Sequence, residues 1–194
     1  LDRHARDRLD AEQRVHVLEL MESQRHAMSM YTSCAWFFSD ISGIETVQNL
    51  RYAARAIELM GRHTDEDLGR VFEADLGAAH SNVSGVSAAT LYRGVVLPET
   101  RTVRHAVNAR AMLRLLRASR SKPVIFGFDV KELDYAPTTV GGHDAFRGLM
   151  HLKERATERQ ETWSWLAVEY APRDLHCFLV VPAEKFFSCF ISCR

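Results

Sequence analysis

Tyr31, Trp36, Phe37 and Phe38 crowd one short stretch, flanked by Thr32, Ser33, Ser39 and Asp40. Aromatic planes beside hydroxyls and a carboxylate suit carbohydrate binding. The apolar C–H face of a sugar stacks on a ring, and polar neighbours hold its hydroxyls. The bland alternative is that the same rings are core at a helix end. Asp40 and Glu45 form the only carboxylate pair near them, and glycosidase chemistry needs two carboxylates across a sugar bond. Glu45, however, stands three residues after Ser42, the spacing of a helix capping box, which explains it more simply.

The rest of the chain offers little chemistry. Nine histidines are scattered, with no H-E-x-x-H pair, no paired-cysteine zinc spacing, no Gly-rich phosphate loop and no G-x-S-x-G elbow. His176, Cys177, Cys189 and Cys193 could in principle meet around a metal, but their spacing is poor. We therefore expect no metal, no cofactor and no catalytic residue. The four cysteines, Cys34 included, read as free thiols of a reducing compartment, which points to a cytoplasmic location. With 25 basic and 25 acidic residues, the chain has no electrostatic footprint for nucleic acid or an anionic membrane. Its 194 residues, 46% hydrophobic and 26% charged, have an ordinary globular composition, with no uncharged run long enough to span a bilayer. The charged start LDRHARDRLDAEQR and the apolar end FFSCFISCR both read as cuts from a longer chain.

These side chains are carried first by helical patterns. Leu20, Ala27 and Cys34 recur every seven residues, as do Met21 and Met28, predicting a helix from about Ala11 to Tyr31 with the methionines filling a core. Val47, Leu50, Ala54 and Ile57 keep a helical period up to Gly61. Thr64 is expected to cap a third helix with Asp65, Glu66 and Asp67 in its first turn, and Leu68, Val71, Phe72 and Leu76 on its apolar face. Ser81 to Gly85 reads as a loop. Ala88 to Val96 reads as a short helix interrupted by Pro98, and Val103 to about Ser119 as a long one.

The period then shortens to two. Val124, Phe126, Phe128 and Val130 predict a strand, and Gly141-Gly142 a turn. Phe146–Thr157 and Glu161–Tyr170 predict antiparallel strands, followed by a turn at Ala171 to Asp174 and a last strand from Leu175. Trp163, Trp165 and Ala167 share one face, and Leu166, Val168 and Tyr170 the other, so the sheet should be covered on both sides. The two tryptophans could also form a sugar platform. The fold class is α+β: a helical bundle over residues 1–120, then a small antiparallel β unit over 121–194.

The segments MYTSCAWFFSDISGIETVQNLRYAARAIEL and TWSWLAVEYAPRDLHCFLV resemble the C-terminal region of a subgroup of family 57 glycoside hydrolases, where a domain of unknown function follows the catalytic barrel. The resemblance implies that the barrel, not this chain, carries a Glu nucleophile and an Asp acid/base. It also implies that a helical bundle offers a Trp to the sugar. Trp36 resembles that Trp by position, with Phe37 and Phe38 behind it. The family usually places Asp before the Trp; here Ala35 stands there, and Asp40 lies four residues beyond. Trp36, Phe37, Ser39 and Asp40 are thus the candidate carbohydrate-binding residues. The implied partners are an upstream barrel of the same polypeptide and an α-glucan or oligosaccharide. The alternative is a structural or protein-interaction module, with Met28, Met30 and Phe37 packed against the barrel.

Overall fold

The computed structural model describes residues 4, 7–32, 37–38, 40–100, 102–116, 124–172 and 174–180. The chain forms two compact units, Leu1–Thr100 and Arg101–Arg194. Helices dominate the first, and an antiparallel sheet with one helix makes the second, so the α+β expectation holds. The division falls at Thr100, because the helix after it packs on the sheet. Position 120, where the change of period suggests the boundary, lies outside the described residues.

The first unit contains α1 (Ala11–Ser29), α2 (Ile44–Met60), α3 (Leu68–Leu76), α4 (Ala88–Leu91) and α5 (Leu97–Glu99). α1 starts with a capping box: Asp10 Oδ1 accepts from the Gln13 amide at 2.8 Å, and Gln13 Oε1 accepts from the Asp10 amide at 3.1 Å. α2 differs from expectation. Its N-cap is Gly43, with no side-chain bond, because the Ser42 hydroxyl is donated to the Asp40 carboxylate instead. The predicted Ser42–Glu45 box therefore does not form. Glu45 still lies in the first turn, where the helix dipole favours negative charge. α2 ends at Gly61 as expected.

α3 is capped by Asp67, whose Oδ1 accepts from the Arg70 amide at 2.9 Å, and not by Thr64. The Thr64 hydroxyl instead accepts from the Glu66 amide in the turn before. Pro98 does not interrupt the next helix. α4 widens into a π-helical turn, Tyr92–Val96, and the Leu97 amide reaches back five residues to the Tyr92 carbonyl. That turn lets the chain pass Pro98, which has no N–H to donate, and run on to Glu99. Val47, Leu50 and Ala54 of α2 meet Tyr92 and Val96 here, with Phe72 and Leu76 of α3 packed against them. The Phe72 and Tyr92 rings are edge-to-face at 5.4 Å. Burial, with the Glu73 charge adding to it, raises the Tyr92 phenol.

The second unit begins with α6 (Val103–Leu115). β1 (Val124–Ile125), β2 (Phe128–Val140), β3 (His143–Glu154), β4 (Gln160–Ala171) and β5 (Asp174–Val180) follow, pairing antiparallel in chain order. The single strand expected at Val124 to Val130 is in fact a hairpin. Phe126 and Gly127 take φ of 52° and 87°, a two-residue turn that pairs Ile125 with Phe128. Gly141 and Gly142, at φ of 57° and 83°, make the expected second tight turn.

Ala106, Val107, Ala111 and Leu115 of α6 pack against Phe128, Met150, Leu152, Trp163, Trp165 and Ala167 on one sheet face. Ala145, Leu166 and Val168 are buried on the other face, so β4 is apolar on both sides, as its sequence predicts. Gly148 is essential to this packing. A Cβ there would stand 2.6 Å from the Asp134 carbonyl oxygen and 2.7 Å from the Trp165 ring.

Candidate functional site

The segment singled out by its aromatics begins where α1 ends. Tyr31 is 84% exposed and Phe37 71%, and Phe38 is also exposed. The two phenylalanine rings meet edge-to-face at 5.3 Å. Met28 and Ile44, which border the segment in sequence, are exposed as well. Trp36 and Ser39 lie outside the described residues, as does Cys34.

Asp40 has a defined job. Its carboxylate accepts from the Ser42 amide at 2.8 Å and from the Ser42 hydroxyl. It also accepts from the Ser81 hydroxyl at 3.0 Å, the Asn82 amide at 2.7 Å and the Val83 amide at 3.2 Å. The loop expected at Ser81 to Gly85 is folded around this carboxylate. Ser81 Oγ caps the Val83 and Ser84 amides, and Gly85, at φ of 71°, returns its own amide to the Ser81 carbonyl. The Ser42 hydroxyl and amide, helped by Ser81 and Asn82, hold the Asp40 carboxyl down at about 2. Asp40 thus ties the turn before α2 to a loop about forty residues later, and most of its lone-pair positions are filled from within the chain.

The other sequence candidates fall apart. Met21 and Met28 are 59% and 66% exposed, so they do not fill a core. Trp163 and Trp165 are buried under α6, which removes them as a sugar platform. Trp163 instead donates its indole N–H to Glu161 at 2.9 Å, and the Arg104 guanidinium lies over its ring. Among the described residues, no group of three His, Cys, Asp or Glu could hold a metal. Cys177 is free and half-buried, and burial pushes its thiol up to about 12, which makes it a poor nucleophile. Asp67, Gly69, Arg70, Glu73, Ala74 and Arg93 line a cleft of about 530 Å³. Its charges are mixed, and Arg93 pairs with Glu73. Among the described residues, no helix is long and apolar enough to cross a membrane.

Two ion-paired centres escaped the sequence reading. In the first unit Glu19 is fully buried. Its Oε1 takes a bond from Arg62 Nη1 at 2.5 Å, and its Oε2 lies 2.9 Å from His63 Nε2. In the second unit Glu132 accepts from Arg114 Nε at 2.6 Å and from Arg110 Nη2 at 3.0 Å. Burial pushes the Glu132 carboxyl up, but the bonds from Arg114 and Arg110 outweigh it and leave it lowered. The Arg114 guanidinium also covers the Tyr135 ring at 4.4 Å. The only sequence signal for the first centre was polar residues recurring at helical spacing, namely His16, Glu19, Ser23 and His26.

The model of one protein family, described as a domain of unknown function (DUF3536), matches residues 1–186. No curated protein and no solved structure matches the chain.

Proposed function

The chain belongs to the DUF3536 family, and we propose that it serves as a non-catalytic accessory region of a family 57-like carbohydrate-active enzyme. In this reading the surface between α1 and α2 forms one wall of a sugar cleft in a cytoplasmic enzyme. A neighbouring barrel supplies the retaining two-carboxylate chemistry on an α-glucan or related α-glycoside.

The observation that supports it is the outward placement of Tyr31 and Phe37, 84% and 71% exposed, in the segment that carries the family resemblance. Clustered rings left in water are a binding surface more often than an accident. Trp36 and Phe37 would stack on the sugar, and Ser39 would hold a hydroxyl. Asp40, with its acceptors engaged, would fix the Ser81 to Gly85 loop against the turn before α2. The test is Trp36→Ala and Phe37→Ala in the full-length protein. Glucan affinity and turnover should both fall by at least about tenfold. Wild-type affinity and turnover in a folded variant would remove the sugar contact from the reading.

A second reading rests on a separate observation. Met28 and Ile44, which border the segment in sequence, are apolar and 66% and 75% exposed. Such a surface suits protein contact, with Phe37 packed on the neighbouring barrel and no sugar involved. Phe37→Ala would then lower the melting temperature of the full-length protein and leave glucan affinity unchanged.

A further inference from the structure

α1 and α2 pack as an antiparallel pair, and the pairing can be followed layer by layer. The His16 ring meets the His63 ring edge-to-face at 4.4 Å. Glu19 lies against Arg62 and His63. The Ser23 hydroxyl donates to the Ala56 carbonyl at 3.2 Å. His26 reaches the Tyr52 ring at 5.9 Å. On α1 these residues are spaced three, four and three apart, the spacing of a helix–helix seam. A seam of this kind normally carries apolar side chains. Here each layer of α1 is polar, and the fully buried residues of α1 are Glu19 and Ser23. Polar seam residues specify register at a cost in stability.

His26 is the layer most sensitive to charge. Arg25 Nη2 lies 3.0 Å from His26 Nε2. A guanidinium can only donate, so while Nε2 accepts this bond the ring is neutral, and the Glu22 carboxylate, which can only accept, competes for the same nitrogen. The other nitrogen, Nδ1, is buried without a partner. Around the ring stand Glu22, with Oε1 3.2 Å from Nε2, and Tyr52 and Arg55 on α2. Arg55 is itself paired with Glu58, which also holds Arg62. A proton on Nε2 breaks the Arg25 bond and adds an imidazolium to Arg25 and Arg55, whose carboxylate partners are Glu22 and Glu58.

We propose that α1 is an acid-released strap: charging His26 undocks it from α2 while the apolar cluster of α2, α3 and the π-helical turn stays folded. The pH direction follows from burial, which with Arg25 and Arg55 lowers the imidazole below 6.5 against the pull of Glu22. A group whose folded value is depressed in this way leaves docking undiminished above 6.5 and weakens it as pH falls further. α2 has no matching weakness, because its buried residues are Val47, Leu50, Ala53, Ala54, Ala56 and Leu59. The strap leads through Met30 into Tyr31, so its release frees the chain that approaches the exposed rings.

Hydrogen exchange on the full chain at about pH 7.5 and about pH 5.5, corrected for intrinsic rates, tests this. Protection of Ala11 to Ser29 should fall several-fold at the lower pH, about tenfold being the ceiling for one imidazole over this interval, with Leu50 to Ala54 unchanged. In His26→Phe, which keeps a ring against Tyr52 and cannot titrate, α1 should be equally protected at both values. An independent NMR titration of the wild-type His26 ring should give a midpoint below 6.5, and α1 protection should decline from 6.5 down to that midpoint and level off below it. The proposal is overturned if α1 protection does not change with pH, if α1 and α2 open together, if His26→Phe retains the wild-type response, or if the His26 ring titrates at or above 6.5.

Discussion

Where α6 lies on the sheet, the buried side chains are Ala106, Val107, Ala111 and Leu115 against Trp163, Trp165, Met150 and Leu152. Where α1 lies on α2, α1 contributes Glu19 and Ser23. Both are helices resting on a neighbouring element, yet one contact is made of area and the other of charge. Each fully buried apolar side chain contributes about 1.5–3 kcal/mol, and that gain has no pH dependence. A buried carboxylate between Arg62 and His63 roughly breaks even against its own desolvation. The sheet unit should therefore hold together as a block, and the α1 contact should be adjustable.

The largest effect that would break this comparison is expected at Trp165, fully buried at the centre of the sheet unit. Trp165→Ala should cost about 4 kcal/mol in denaturant unfolding. A loss below about 1 kcal/mol would mean that the α6 contact is not what holds the unit. Gly148→Ala approaches the same ring from the other side. Its new Cβ would collide with the Asp134 carbonyl oxygen and the Trp165 indole, and overpacking of this kind costs about 1–3 kcal/mol. A neutral result would show that β3 can yield there.

Glu19 supplies the opposite arm. Glu19→Ala leaves Arg62 and His63 facing a hole and should lower α1 protection. Replacing the whole group, Glu19→Leu with Arg62→Met and His63→Phe, exchanges charge for area and should recover that protection or exceed the wild type, within about 1 kcal/mol. Hydrogen exchange of α1 separates the two. If this triple variant proves as damaging as Glu19→Ala, the seam is built for stability after all and the contrast with α6 collapses.

Much of the scaffold could be read from spacing alone. α2 showed itself through Val47, Leu50 and Ala54 and its stop at Gly61, and the β2–β3 turn through Gly141-Gly142. The Phe126-Gly127 hairpin stayed hidden for a physical reason. A two-residue turn preserves the period of two, so Val124, Phe126, Phe128 and Val130 look the same with or without it. α1 misled in a different way. Of its apolar residues at seven-residue spacing, Met21 and Met28 face water and Leu20 and Ala27 are half-buried, while the buried residues are Glu19 and Ser23. Hydrophobic periodicity cannot find a seam held by charge. Of the candidate sugar residues, Phe37 is open to solvent and Asp40 is engaged, and Trp36 and Ser39 lie outside the described residues. The role of Asp40 was illegible because its partners, Ser81 to Val83, stand 41 to 43 residues away.

The smallest expected effect sharpens the comparison at the level of single carboxylates. Asp40 is held by neutral donors, the hydroxyls of Ser42 and Ser81 and the amides of Ser42, Asn82 and Val83. Glu132 in the sheet unit is held by two guanidinium groups. Both carboxyls are lowered, so each contributes stability above its unfolded value and loses it as pH falls through the folded one. For Asp40 that window runs from 3.8 down to about 2. Salt is the test for Asp40, because screening weakens exposed ion pairs and leaves short hydrogen bonds to neutral donors nearly untouched, while the Glu132 pair is shielded by its burial. In an NMR titration the Asp40 midpoint should stay near 2 when salt is raised to about 1 M. It should move toward 3.8 in Ser81→Ala. That variant also frees the Val83 and Ser84 amides and should cost about 1 kcal/mol in unfolding free energy. An Asp40 midpoint that climbs with salt would reveal a cation in its surroundings, and the loop would then be held by charge, as α1 is.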